Sequence, residues 1–107
     1  MVASEGEIME FVQVIEYETS KYDEVRAIGE EFAERRRTAG GPKPTSILLC
    51  QDRDRPNTYA TIARFASYEE AMQNSESPDT SEMAGRIAAL CDNMRFYNLD
   101  VVDEITP

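Results

Sequence analysis

The sequence predicts an α+β domain of the ferredoxin-like kind, with a four-stranded antiparallel sheet and two helices on one face. Two observations lead there. Short runs rich in β-branched and aromatic residues alternate with stretches whose apolar residues recur every three or four positions. Their order is strand, helix, strand, strand, helix, strand. The chain of 107 residues is the length of one domain.

Residues 1–8 read as a loose tail. The first strand is Phe11-Val-Gln-Val-Ile-Glu-Tyr17, with Phe11, Ile15 and Tyr17 on one face and Val12 and Val14 on the other. A strand apolar on both faces needs cover on both sides. Ser20 with Asp23 reads as a capping box that opens a helix through Arg37. Val25, Ile28 and Phe32 share its apolar face, and Gly29 is expected where the helix packs closely on the sheet. Arg35-Arg36-Arg37 ends that helix, complements its dipole and lets Arg35 pair with Glu31 one turn back. Thr38–Pro44 is dense in breakers and reads as a loop.

Thr45–Gln51 and Asn57–Ala66 form a hairpin around the charged turn Asp52-Arg-Asp-Arg-Pro56. Asp52 and Asp54 flank Arg53 and Arg55 there and read as solvated charge. Ser67 with Glu70 is a second capping box, and the chain breaks at Ser77-Pro78, where proline suits a first helical turn. Met83, Ile87, Leu90 and Met94 then recur as one apolar helical face, with Cys91 beside it. The last strand is expected over Met94–Glu104. With both helices on one side, the other side of the sheet carries apolar side chains and calls for a second copy as cover.

Composition removes several function classes. Apolar residues are 41% of the chain, which fits a globular protein, and there is no apolar run long enough for a membrane span. The acidic start, where a signal peptide would be basic then apolar, points to a cytoplasmic protein. A net charge of −10 disfavours nucleic-acid backbones and anionic membranes as partners. RNA-recognition domains share this strand order, but they need basic, aromatic strands. There is no histidine, so a nucleophilic triad and histidine-based metal sites have no starting residue. Cys50 and Cys91 read as buried free thiols. No glycine-rich phosphate loop is present, since Gly40-Gly41 stands alone before proline.

The strand order, the entry Phe65-Ala-Ser-Tyr-Glu-Glu-Ala71, the Ser77-Pro78 break and the final Phe96-Tyr-Asn-Leu-Asp-Val-Val102 together resemble the dimeric α+β barrel superfamily. Within it they resemble the antibiotic-biosynthesis-monooxygenase-like domains. That resemblance implies a homodimer with sheets face to face. It also implies either cofactor-free oxidation of polyketide-like aromatic molecules or haem degradation. Haem-degrading members use a histidine, which is absent here, and cofactor-free members use a tryptophan, also absent. No cofactor and no metal is expected. The candidate ligand-binding residues are Tyr59, Arg64, Arg86, Tyr97 and Asn98, with Tyr17 and Asn57 beside them, as polar groups that could orient a small aromatic molecule. The alternative is a non-catalytic dimeric module whose apolar sheet face serves only self-association.

Overall fold

The computed structural model describes residues 9–107. The expected tail at residues 1–8 lies outside them. The elements are β1 (Phe11–Glu18), α1 (Tyr22–Ala39), β2 (Ser46–Gln51), β3 (Thr58–Phe65), α2 (Tyr68–Glu76), α3 (Pro78–Ala88) and β4 (Asp92–Asp100). All pairings are antiparallel and the sheet order is β2-β3-β1-β4. This is the ferredoxin-like order, with β1 and β3 in the centre. The second helix is delivered in two pieces. The chain turns at Ser77, whose backbone is extended, and Pro78 opens α3.

Register separates the two sides of the sheet. Phe11 lies opposite Phe65, Gln13 opposite Ala63 and Asn98, Ile15 opposite Thr61 and Phe96, and Tyr17 opposite Tyr59. This side faces the helices. Phe11, Ala63 and Phe65 form the buried core with Ala71 of α2, and Met72 packs against it. Tyr68 of α2 sets its ring edge-on to Phe11, with centroids 5.2 Å apart. At the other end Tyr59 stacks on Tyr22 of α1 at 4.4 Å and on Tyr17 at 5.8 Å. Val12, Val14, Ile62, Leu48, Tyr97 and Leu99 alternate onto the opposite side, which no helix among the described residues covers.

Local rules hold where local chemistry decides. The Ser67 hydroxyl accepts from the Glu70 N–H at 3.1 Å, so α2 is capped as its sequence demands. The Glu70 carboxylate meets the Ser67 hydroxyl at 3.4 Å. Arg35 reaches Glu31 at 3.2 Å, as its spacing requires.

Several expectations are corrected. Ser20 does not cap α1; its N-cap position is Lys21, which has no side-chain cap bond. Thr19 takes over instead. Its hydroxyl accepts from the Lys21 N–H at 3.0 Å and donates to the Leu90 carbonyl at 2.7 Å. That bond ties the start of α1 to the end of α3, a tertiary contact outside any local motif. The apolar face of Met83 and Ile87 does not continue to Met94. The Leu90 and Cys91 N–H groups close three-residue turns onto Ile87 and Ala88, which stops the helix and leaves Met94 in β4. β4 therefore starts earlier than expected, at Asp92. It ends at Asp100 because its partner β1 begins at Phe11; one further bond, Val101 N–H to the Glu10 carbonyl, closes the pair. Gly29 does not serve close packing, since a Cβ there would meet nothing within 4 Å. Cys50 is exposed, because β2 is an edge strand exposed along its whole length, and Cys91 is half-buried. Asp52 is more than solvated charge. It accepts the N–H groups of Asp54 at 2.8 Å and Arg55 at 3.2 Å, so it builds the hairpin turn.

Candidate functional site

The helix-facing side is apolar at both ends and polar in the middle. Gln13 donates from Nε2 to Asn98 Oδ1 at 3.2 Å across β1 and β4. Ile15, Thr61 and Phe96 form the next row of that face. The helices cover the centre strands better than the edges. Ile47 and Leu49 on β2 and Phe96 on β4 remain 53%, 50% and 56% exposed. The amide pair thus sits on a partly open apolar floor. Its remaining donors are both N–H groups of Asn98 Nδ2 and the second N–H of Gln13 Nε2, and Gln13 Oε1 is its uncommitted carbonyl. Burial pushes the Tyr17 phenol above its ordinary value, and a hydrogen bond with Thr61 opposes that shift. Tyr17 therefore stays neutral over the physiological range. Burial likewise raises the Cys91 thiol, which keeps it protonated and unreactive.

The five candidate residues do not converge. Asn98 lies on the helix-facing side beside Gln13. Tyr59 is on that side too, but its ring faces are occupied by Tyr17 and Tyr22. Arg64 and Tyr97 point to the opposite, open side. Arg64 is held there by Glu10, with Nε and Nη2 each donating at 2.8 Å, and by Glu104 at 3.1 Å. That clamp lowers the Glu10 carboxyl and raises the Arg64 guanidinium. Arg86 pairs with Glu31 of α1 and so joins α3 to α1. Asn57 is a turn residue with φ of 58°, a left-handed conformation that asparagine tolerates. Sequence reasoning missed Gln13. The available signal was a polar residue at the one inward position of β1 where Phe11, Ile15 and Tyr17 set an apolar pattern.

Two cavities lie elsewhere. One of ≈460 Å³ opens at the end of the sheet, between β1, β4 and the hairpin turn, and is lined by Glu16, Glu18, Arg55, Thr58, Asn93 and Arg95 among others. The other, of ≈340 Å³, is formed by Gln51, Asp52 and Arg53 at the turn itself. Among the described residues, no three histidine, cysteine or acidic side chains converge as a metal ion would require. No helix among them is long and apolar enough to cross a membrane.

The backbone places the chain among known structures. SnoaB, a cofactor-independent oxygenase from Streptomyces nogalater, superposes with a TM-score of 0.68 at 19% identity over 85% of this chain and 91% of its own. A Caulobacter crescentus CB15 protein, provisionally called an antibiotic biosynthesis monooxygenase, gives 0.75 at 13% identity, over 90% and 92%. A Deinococcus radiodurans protein with the same provisional description gives 0.73 at 11% identity, over 91% and 97%. The chain has the antibiotic-biosynthesis-monooxygenase fold. The resemblance read from the Phe65–Ala71 entry and the Ser77-Pro78 break is thereby borne out at the level of fold. No protein-family model matches the sequence, and no curated protein matches it. In this fold the chain covers the whole βαββαβ unit, with α2 and α3 in place of one helix.

Proposed function

We propose that the protein is a homodimer through the open side of its sheet and binds a small apolar or aromatic molecule between sheet and helices, with cofactor-independent monooxygenase-like chemistry. The observation that carries this reading is the Gln13–Asn98 amide pair on an otherwise apolar, partly uncovered floor. The pair would receive the phenolate or enolate oxygen of a substrate through Asn98 Nδ2. A hydrogen bond to a charged oxygen is worth about 1.5–3 kcal/mol, which would lower the bound phenol's pKa by about one to two units. Ile15, Thr61 and Phe96 would hold the ring. Dioxygen would take its electrons from the ionised substrate, so the reading calls for no cofactor. The fold shared with SnoaB, itself a cofactor-independent oxygenase, supports the class of chemistry.

The dimer rests on the open side. Leu48, Tyr97 and Leu99 are 58%, 37% and 48% exposed there, beside Val12, Val14 and Ile62. An apolar band of that kind belongs against a second surface. Two free thiols suit a reducing compartment, which supports a cytoplasmic location.

A thermal-shift series with phenolic polyketide-like ligands tests the reading. Stabilisation of the wild type that Asn98→Ala reduces supports it; no shift with any ligand contradicts it. A second reading, a non-catalytic dimer, is favoured by the position of both cavities outside the space between sheet and helices. It predicts a dimer that no such ligand stabilises.

A further inference from the structure

We propose that the ≈460 Å³ cavity at the end of the sheet is a second site, which binds a small zwitterion of the α-amino-acid type through Arg95 and Glu16. Register sets Glu16 directly opposite Arg95 on β1 and β4, so both side chains leave the same side of the sheet. Among the described residues neither takes part in an ion pair, although their signs are opposite. A free guanidinium and a free carboxylate therefore share one cavity mouth. The guanidinium offers a carboxylate two parallel N–H donors. The Glu16 carboxylate accepts from an ammonium.

The backbone around this pair is irregular. The β1–β4 register slips between Glu16 and Glu18, and bulges of this kind re-aim side chains. Asn93 adopts a φ of 53°, and its side-chain amide donates to Glu18 at 2.9 Å, which gives the Glu18 carboxylate a partner. Asp52 occupies Arg55 in the same way, at 2.8 Å. Among the described residues Arg95 has no ion-pair partner, and Glu16 acts on Arg55 only through space, without an ion pair. Charge selects the ligand class. With a net charge of −10 on the chain, a plain anion is repelled over distance. At the cavity itself Glu16 and Glu18 stand beside Arg55 and Arg95, so a plain ion of either sign meets like charge there. A molecule carrying both charges a few ångströms apart avoids both penalties. Glu16 and Arg95 lie on the open side of the sheet, one row beyond the Val14–Tyr97 pair, so the site flanks the band assigned to a second copy and does not depend on the helix-side reading.

Calorimetric titration of the full chain with the standard L-amino acids, taken singly, tests it, with acetate and methylammonium as half-ligands. At least one amino acid is expected to bind, with each half-ligand about tenfold weaker or more, because one of two charge-assisted contacts is lost. Arg95→Ala and Glu16→Gln are each expected to lower the amino-acid affinity by about tenfold, and Arg95→Lys to restore part of it. Circular dichroism checks that each variant is folded. No binding by any amino acid overturns the proposal, and so does acetate binding as tightly as the amino acid. A change in oligomeric mass for Arg95→Ala with unchanged ligand affinity also overturns it, and assigns Arg95 to an interface between copies.

Discussion

Helices α2 and α3 follow one another at Ser77-Pro78, yet they are held to the molecule by different forces. α2 is capped by Ser67, buries Ala71 and sets Tyr68 against Phe11. α3 buries no residue fully. It is fastened to α1 by charge: Arg35 reaches Asp79 at 3.4 Å and Glu82 at 2.9 Å, and Arg86 pairs with Glu31. Each of these groups is more than a third exposed, so solvent screens them and each pair contributes little by itself. The difference teaches that the second helix of this fold has an anchored half and a clasped half. The Thr19–Leu90 bond adds one more link just past the end of α3. Sub-global opening belongs to such weakly packed elements.

The largest expected effect lies on the anchored side. Phe11→Ala should cost about 3–5 kcal/mol, because the ring is buried to 2% exposure and leaves a cavity against Phe65 and Ala71. Urea denaturation measures it. Ile87→Ala on α3, where the side chain is only half-buried, should cost well under half as much; equal costs would erase the distinction between the helices. Next, Ser67→Ala should destabilise by about 1 kcal/mol through loss of the cap on α2. Gly29→Ala in α1 should stabilise by up to about 1 kcal/mol, since helix propensity improves and the new methyl meets nothing within 4 Å. A loss at that position would show that α1 sits closer to the sheet than described.

Smaller still is the global effect of Arg35→Ala, because solvent screens its ion pairs. Its signature is local: amide exchange should quicken through α3 and not through α2, and high salt should mimic it in the wild type. pH acts in the same place. Arg86 depresses the Glu31 carboxyl between α3 and α1; Arg64 does the same to Glu10, but on the open side of the sheet, away from α3. A depressed carboxyl contributes stability above its unfolded value of 4.5, and that contribution is lost as pH falls through the lower folded value. Acid should therefore release α3 before it releases α2, as amide exchange at stepped pH would show.

The order of elements was legible because it rests on short-range signals. Ser67 caps its own helix, Pro78 cannot continue the previous one, and alternation in Thr58–Phe65 is strand-like without reference to the rest of the chain. The site was less legible because its geometry comes from partners far apart in sequence. Thr19 displaces Ser20 at the start of α1 by bonding Leu90, and Arg64 is claimed by Glu10 and Glu104. Among the candidates, Asn98 was legible as a polar group on a strand. Its companion Gln13 was not, since only the β1–β4 register brings the two together. The exposure of Cys50 follows from β2 lying at the sheet edge, which the continuous apolar run Ile47-Leu48-Leu49-Cys50 does not reveal.

The central claim is that the two sides of the sheet have separate tasks, the helix side for a small aromatic molecule and the open side for a second copy. Amide NMR of the labelled protein, titrated with a phenolic polyketide-like ligand, tests it most directly. Shifts are expected at Gln13, Thr61, Phe96 and Asn98, with Val14, Leu48 and Ile62 unmoved. Shifts confined to Val14, Leu48 and Ile62, or none at all, would contradict it.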